Sequence, residues 1–206
     1  MKGNRTKMLR NRVAQEAALL LYTSQEKEYK QAKQRAADTL GVRGLPSNFE
    51  VAEELDIIAE EREGAQRREL LLRMRMEAKE IMETLKIFNP RLVGSVWRGT
   101  ARQNSDIDIH TFSQDHHQVL DLLQKRNYEV ERSEWCSVTK AGTKEASFHI
   151  HAILPSGDAV EVVVRSLECL GQPERCETYG DSKTGMNFKQ LARTIKENPL
   201  QKFVPK

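Results

Sequence analysis

The sequence predicts an α+β protein in which a helical N-terminal region precedes a strand-rich C-terminal part. Up to residue 86, apolar residues recur at steps of three and four, which is the spacing of amphipathic helices. After Asn89-Pro90 the segments become shorter, and they are rich in β-branched and aromatic residues, as strands are. We therefore expect a helical region over residues 1–86 and an α+β domain over residues 87–206.

Length and composition exclude several protein classes. A chain of 206 residues has room for one medium-sized domain with an appendage, but not for a large multidomain assembly. The three cysteines show no CxxC spacing, so we expect neither a disulfide framework nor a structural zinc site, and the cytoplasm is the expected location. No stretch approaches the roughly 20 apolar residues of a membrane-spanning helix. The net charge of +3 permits a nucleic-acid or nucleotide partner without requiring one.

The helical region is predicted to be interrupted at three places. Thr23 and Ser24 predict a first break, because short hydroxyl side chains compete for backbone hydrogen bonds. Ser47 and Glu50 have the spacing of a capping box, which predicts the start of a second long helix. Gly64 predicts an interruption of that helix.

The α+β domain is predicted to contain short strands and two helices. The strands are expected at Arg91 to Val93, Asp106 to Phe112, Tyr128 to Trp135, Ala146 to Leu154 and Ala159 to Arg165. The helices are expected at Gln114 to Asn127 and Met186 to Asn198.

A short turn after the first strand has the character of an anion-binding site. Gly94 and Ser95 open a helical turn, so their backbone N–H groups and the Ser95 hydroxyl can point toward an anion. Arg98 in the same turn could add a charge-assisted contact to phosphate, and Gly99 permits a close approach of the backbone. Together these residues suit a triphosphate.

Two carboxylates follow this turn. Asp106 and Asp108 are two residues apart in a strand pattern, so they project from one face while Ile107 and Ile109 project from the other. Two neighbouring carboxylates repel each other unless a cation lies between them. Their hard oxygen ligands predict a magnesium site that also involves substrate phosphates.

The order of an apolar strand, Gly-Ser, about ten residues and Asp-Ile-Asp-Ile resembles the signature of the DNA polymerase beta-like nucleotidyltransferase superfamily. The string GSVWRGTARQNSDIDI is similar to that of its minimal, single-domain members. The resemblance extends from about Leu92 to Arg165 and implies a nucleotidyltransferase-like mixed β-sheet flanked by helices.

The resemblance also implies a set of site residues. The family has a third carboxylate on a later strand, and Glu161 is the best match because it is the acidic residue of an otherwise apolar strand. Asp106 and Asp108 would then bind two Mg²⁺ ions, and Glu161 would complete the site of the catalytic ion. The family often has Asp at this position, so Glu161 departs from the usual pattern. Ser105 is expected to shape the turn before Asp106, with a contact to the nucleotide as the alternative.

The implied activity is the magnesium-dependent transfer of a nucleoside monophosphate, expected to be AMP from ATP, to an acceptor hydroxyl with release of pyrophosphate. The acceptor could be a protein, an RNA 3′ end or a small molecule. Two alternatives remain open: a non-enzymatic, antitoxin-like partner-binding protein, and an RNA-binding protein on an inactive core. The long N-terminal helices are compatible with a homo-oligomer or a helical protein partner, and no membrane association is expected.

Four further side chains are weaker candidates. His149 and His151 alternate in FHIHAIL and so share a face, but no third ligand at zinc-like spacing accompanies them. His110 continues the face of Asp108 at the edge of the predicted site. Lys183 lies in a predicted loop from which it could reach phosphate.

Overall fold

The computed structural model describes residues 2–126, 128–140 and 143–205. The helices are α1 (Lys2–Tyr22), α2 (Tyr29–Leu40), α3 (Asn48–Thr84), α4 (Gly94–Arg98), α5 (His116–Lys125) and α6 (Phe188–Glu197). The strands are β1 (Arg91–Val93), β2 (Ile107–Phe112), β3 (Glu129–Lys140), β4 (Thr143–Ile153), β5 (Ala159–Arg165), β6 (Glu174–Arg175) and β7 (Ser182–Lys183). Among these residues, no helix is both long enough and apolar enough to cross a membrane.

The chain forms two compact units. The first comprises residues 2–67 with 175–181, and the second comprises residues 68–174 with 182–204. The domain boundary that the sequence predicts after residue 86 therefore falls inside the second unit. The reason is that the last turns of α3 contribute apolar side chains to the core of the second unit, namely Leu71, Met74, Ala78, Ile81 and Met82.

The first unit is helical, and its core consists mainly of small side chains. The buried residues on α1 and α2 are Val13, Ala14, Ala17, Ala18, Leu20, Leu21, Ala32, Ala36 and Ala37. The predicted break near Thr23 is confirmed, because α1 ends at Tyr22 and Ser24 adopts a φ of 55°.

The start and the interruption of α3 are also confirmed. The Glu50 backbone N–H donates to Ser47 Oγ over 3.2 Å, and the Ser47 N–H donates to Glu50 Oε2 over 2.7 Å. These reciprocal bonds form the predicted capping box, which satisfies N–H groups that a helix start leaves without intrahelical partners. Gly64 has non-helical dihedral angles (φ 50°, ψ −117°) within α3, a conformation that glycine adopts at little cost.

The second unit is built on a five-stranded sheet with the order β1-β2-β5-β4-β3. The β2–β5 pair is parallel, whereas β1–β2, β5–β4 and β4–β3 are antiparallel. The sheet is therefore mixed, and the predicted α+β fold class is confirmed. Strand β5 has the predicted bounds, and β3 and β4 extend beyond them because they pair as far as Lys140 and Thr143. Helix α5 ends at Lys125, and Asn127, the predicted last residue, lies outside the described residues.

The two faces of this sheet differ in character because side chains alternate along each strand. One face is apolar and lies in the main core, with Ile107, Ile109, Phe148, Ile150, Ala152, Val160, Val162 and Val164. The other face carries the partly exposed side chains of Asp108, His110, His149, His151, Glu161 and Arg165. The functional candidates thus share the polar face of a sheet whose opposite face is fixed by core packing.

Candidate active site

Strand pairing brings three carboxylates together on the polar face. Asp108 on β2 is the register partner of Glu161 on β5, and Asp106 lies immediately before β2. One carboxylate oxygen from each of the three lies within 4.8 Å of the others. Parallel pairing therefore brings together carboxylates that are far apart in the sequence, and these form an acidic cluster on two adjacent strands.

The electrostatics of this cluster disfavour the ionisation of two of its carboxylates. Burial raises the pKa of Asp108 to about 7, with further contributions from the neighbouring charges of Asp106 and Glu161. The pKa of Asp106 is also raised, first by burial and then by Glu161. Carboxylates that resist ionisation in this way favour a bound cation, which would offset both the desolvation and the mutual repulsion.

Gly94 fits the predicted turn beside this cluster. It begins α4 with a φ of 69°, in the left-handed region that side chains disfavour. A Cβ atom at this position would overlap the carboxylate of Asp108. Glycine is therefore required here for two reasons, its backbone conformation and the close approach of the Asp108 carboxylate.

We expect Gly94→Ala to lower any activity of this site by about a hundredfold or more, because the added methyl group displaces Asp108. Gly157→Ala is the matched control, since Gly157 has a φ of 90° but no atom within 4 Å of its Cβ position. Both variants should lose about 1–2 kcal/mol of stability from backbone strain. Thermal unfolding measures this common loss, and an equal loss of activity in both variants would contradict the proposed role of the Asp108 contact.

The two predicted serines occupy different environments. Ser95 is partly buried and follows Gly94 in α4. Ser105 Oγ accepts a hydrogen bond from the Arg102 backbone N–H over 3.1 Å, and the Ser105 N–H donates to the Arg102 carbonyl over 2.9 Å. Ser105 thus shapes the turn that leads into Asp106, in agreement with the expectation from the sequence.

Arg98 and Gly99 both contact the C-terminal segment of the chain. Arg98 is buried, its guanidinium lies 4.0 Å from the centre of the Trp97 ring, and its Nη1 donates to the Phe203 carbonyl over 2.8 Å. A Cβ atom at Gly99 would lie 2.6 Å from the Gln201 carbonyl oxygen. The close approach predicted at Gly99 therefore occurs, but its partner is the backbone of the same chain.

Arg75, which the sequence did not indicate as a site residue, holds α4 in place through hydrogen bonds to its backbone. Its fully buried guanidinium donates to the carbonyls of Val96 and Trp97 over 3.2 and 3.1 Å. It also donates to the carbonyls of Pro199 and Gln201 over 2.6 and 2.8 Å. One charged side chain therefore ties the helix that begins at the Gly94 turn to the C-terminal segment.

Two histidines adjoin Glu161 on the next strand. His151 on β4 is the register partner of Glu161, and its Nε2 lies 3.5 Å from Glu161 Oε1. His149 Nδ1 lies 2.7 Å from the same oxygen, and His149 Nε2 lies 2.9 Å from Ser147 Oγ. The alternation in FHIHAIL was the sequence signal for this pair, but only strand register could show that Glu161 is their neighbour.

A cavity of about 260 Å³ lies on the second unit, and it is lined in part by His110 of β2, two residues after Asp108. Its lining includes Arg91, His110, Arg165 and Lys183. The charge of Lys183 acts on Asp108 and opposes the rise in the pKa of that carboxyl. Burial, followed by the charges of Lys183 and Arg165, lowers the pKa of His110 to about 3, so this imidazole is neutral at physiological pH. The cavity therefore has a cationic wall formed by Arg91, Arg165 and Lys183, and Glu174 also lines it.

The part of the chain that contains this site matches a known protein family. Residues 75–171 match the family model described as a nucleotidyltransferase domain. This range includes α4, the whole acidic cluster and all five strands of the main sheet. No curated protein matches the chain.

Several solved structures also resemble the chain at low identity. The structure of the GLD-2/RNP-8 complex shares 16% identity at a TM-score of 0.34, covering 56% of this chain and 45% of that one. Cid1 in complex with the UTP analog UMPNPP shares 17% identity at a TM-score of 0.33, with coverage of 57% and 37%. A cytoplasmic RNA terminal U-transferase shares 17% identity at a TM-score of 0.28, with coverage of 57% and 34%. The matched region thus spans less than half the length of each of these structures.

Proposed function

We propose that the protein is a magnesium-dependent enzyme that transfers a nucleoside monophosphate to an acceptor hydroxyl, because residues 75–171 match the family model described as a nucleotidyltransferase domain. ATP is the proposed donor, AMP the group transferred and pyrophosphate the leaving group. The observation that carries the proposal is the cluster of Asp106, Asp108 and Glu161, whose oxygens lie within 4.8 Å of one another. A protein, an RNA or a small molecule could supply the hydroxyl.

The donor set fits magnesium. All three side chains offer hard carboxylate oxygens, which Mg²⁺ prefers, and the raised pKa of Asp108 shows a charge that a cation would stabilise. Asp106, Asp108 and Glu161 are the residues that would hold the two proposed ions. When bound, such ions stabilise the negative charge on the attacking and leaving oxygens of an in-line displacement at phosphorus.

The remaining contributions come from the chain itself. The Gly94 turn holds the backbone against the Asp108 carboxylate, which fixes the position of that ligand. Glu161 is proposed to accept the proton of the acceptor hydroxyl as the new bond to the α-phosphorus forms. When Glu161 is ionised, protonated His149 Nδ1 donates a hydrogen bond to Glu161 Oε1 over 2.7 Å. This hydrogen bond orients the carboxylate.

The cationic wall of the neighbouring cavity supports binding of an anionic nucleotide. Lys183 and Arg91 line this cavity together with Arg165, which also donates to Glu174 over 3.0 Å. A triphosphate carries several negative charges, and cationic side chains near the carboxylates balance them as the donor binds. We therefore propose that part of the donor nucleotide occupies this cavity.

The direct test is transfer from α-labelled ATP, GTP, CTP and UTP in the presence of Mg²⁺. The acceptors offered are the protein itself, bulk tRNA and a cell extract, and the Asp108→Asn variant is the control. Label that appears with the native protein and not with the control would support the proposal and name the acceptor class. Measurable nucleotide binding without label in any fraction would instead favour the antitoxin-like, partner-binding alternative.

Magnesium is expected to stabilise the protein more at about pH 8 than at about pH 6. The folded pKa of Asp108, about 7, lies above its usual value. The stability that protonated Asp108 contributes is therefore present at low pH and is lost as the pH rises through about 7. Ionised Asp108 is the form that binds Mg²⁺, so the rise in melting temperature on adding MgCl₂ should increase over the same range. Equal rises at the two pH values would contradict this assignment.

A further inference from the structure

We propose that His149, His151 and Glu161 form a second metal site, which binds a divalent transition metal such as Zn²⁺. This inference goes beyond the proposed function, which needs only the oxygen ligands of the Asp106, Asp108 and Glu161 cluster. One potential ligand atom from each of the two histidines and from Glu161 lies within 4.8 Å of the others. These side chains come from two adjacent strands of the main sheet.

One of the two distances to Glu161 matches that between ligands of one metal ion, and the other is a shorter, hydrogen-bond distance. Metal–ligand distances of about 2.0–2.2 Å place neighbouring ligand atoms about 3.0–3.5 Å apart in tetrahedral or octahedral geometry. His151 Nε2 lies 3.5 Å from Glu161 Oε1, and His149 Nδ1 lies 2.7 Å from the same oxygen. Small rotations of the side chains would therefore admit an ion without movement of the strands.

The chemistry of the three ligands selects the class of metal. Imidazole nitrogens suit zinc and other late first-row metals, whereas Mg²⁺ prefers oxygen ligands and resists dehydration. Two imidazoles with one carboxylate also make up a known three-ligand zinc set, which leaves a coordination position for water or a substrate. We therefore expect Zn²⁺ to bind here in preference to Mg²⁺, and Glu161 is a ligand common to both groups.

The surroundings hold the two imidazoles in place. His149 Nε2 lies 2.9 Å from Ser147 Oγ, which can accept a hydrogen bond once Nδ1 is used for the metal. The His149, His151 and Glu161 side chains are only 21%, 24% and 22% exposed, so their rotation is restricted. Such oriented, half-buried ligands lose less conformational entropy on binding an ion than exposed ones do.

Metal binding must displace the hydrogen bond between His149 Nδ1 and Glu161 Oε1, and it must also displace Arg132. Its Nη2 lies 3.3 Å from His151 Nε2, the nitrogen proposed as a ligand. The Arg132 side chain is 65% exposed, and its Nε lies 3.6 Å from Glu134 Oε1. The guanidinium can therefore move into solvent while it keeps an acidic neighbour, which makes the displacement inexpensive.

The test is a titration of the metal-free full-length protein with Zn²⁺ in competition with a chromophoric chelator, in the absence of nucleotide. We expect one Zn²⁺ per chain, and we expect His149→Gln/His151→Gln to weaken its binding about a hundredfold. His116→Gln/His117→Gln is the matched control, because it removes two histidines from α5 outside the proposed site. Visible absorption of bound Co²⁺ provides a second readout of nitrogen ligation.

Two results would overturn the proposal. One is the absence of stoichiometric Zn²⁺ binding, and the other is binding that persists undiminished in the His149→Gln/His151→Gln variant. Circular dichroism checks the fold of that variant, and His151→Gln alone replaces it if the double variant unfolds. Asp106→Asn separates the two sites, since it should remove magnesium-dependent transfer and leave Zn²⁺ binding intact. A failure of the proposed activity therefore leaves this test valid.

Discussion

Asp108→Asn is expected to reduce nucleotidyl transfer by about a thousandfold or more while the protein remains folded. Asp108 is the central carboxylate of the cluster, in register with Glu161 and against the backbone of Gly94. The amide keeps the size of the side chain but removes a negative ligand from the proposed magnesium site. The rate constant of transfer should therefore fall even at saturating donor concentration, because the variant loses charge stabilisation of the transition state.

The same variant should be more stable than the native protein when no metal is present. Burial and the neighbouring carboxylates raise the pKa of Asp108 to about 7, so at about pH 8 the ionised group opposes folding. Removing this charge should increase the free energy of unfolding by at least about 1 kcal/mol. Asp121→Asn, an identical change at an exposed position of α5, is the control for both measurements.

Opposite changes in activity and stability distinguish a functional carboxylate from a structural one. A structural carboxylate would cost stability when replaced, because its hydrogen-bond partners would lose their acceptor. Chemical denaturation of the metal-free proteins at about pH 8 provides the measurement. A destabilised Asp108→Asn variant, or one that retains more than about a tenth of native transfer, would contradict the role proposed for Asp108.

Arg75→Met is expected to lower the free energy of unfolding by about 3–5 kcal/mol. The Arg75 guanidinium is fully buried and donates to four backbone carbonyls, those of Val96, Trp97, Pro199 and Gln201. Methionine fills most of the same space but has no hydrogen-bond donor. The four carbonyls would therefore lose their donor in a buried region where water cannot readily replace it. Burial lowers the pKa of Arg75 to about 10, and the side chain therefore stays charged at neutral pH.

Two comparisons isolate the cause of this loss. Lys79→Met makes a similar change at an exposed position of the same helix and should alter stability by less than about 0.5 kcal/mol. Arg75→Lys keeps the charge but lacks the planar fork of donors, so it should recover only part of the loss. If Arg75→Met cost less than about 1 kcal/mol in urea denaturation, the four hydrogen bonds could not be a main support of α4.

Local sequence patterns were sufficient to predict most elements of the fold. The valine-rich run at Ala159–Arg165 predicted β5 with its observed bounds, because alternation and β-branching act within a few residues. The Ser47 and Glu50 capping box and the interruption at Gly64 are also local effects. The contribution of α3 residues such as Met74 to the second core was not predictable from helical periodicity, which identifies an apolar face but not its partner.

The candidate site shows the same distinction between local and distant effects. Asp106 and Asp108 could be assigned to one cluster from their spacing, and Glu161 followed from the resemblance to a family. Arg98 could not be assigned from the turn alone, because its acceptor, the Phe203 carbonyl, lies far along the chain. Similarly, the alternating histidines indicated a shared face, but the neighbouring carboxylate of Glu161 depends on the register of two strands.

The parallel pairing of β2 with β5 also has a consequence for the order of events during protein synthesis. Asp106 and Asp108 leave the ribosome well before Glu161, with α5, β3 and β4 between them. A nascent chain that lacks β5 contains two of the three carboxylates but no partner strand to complete the cluster. Under the proposed function, the active site is therefore complete only when the last strand of the main sheet is inserted, and unfinished chains are expected to be inactive.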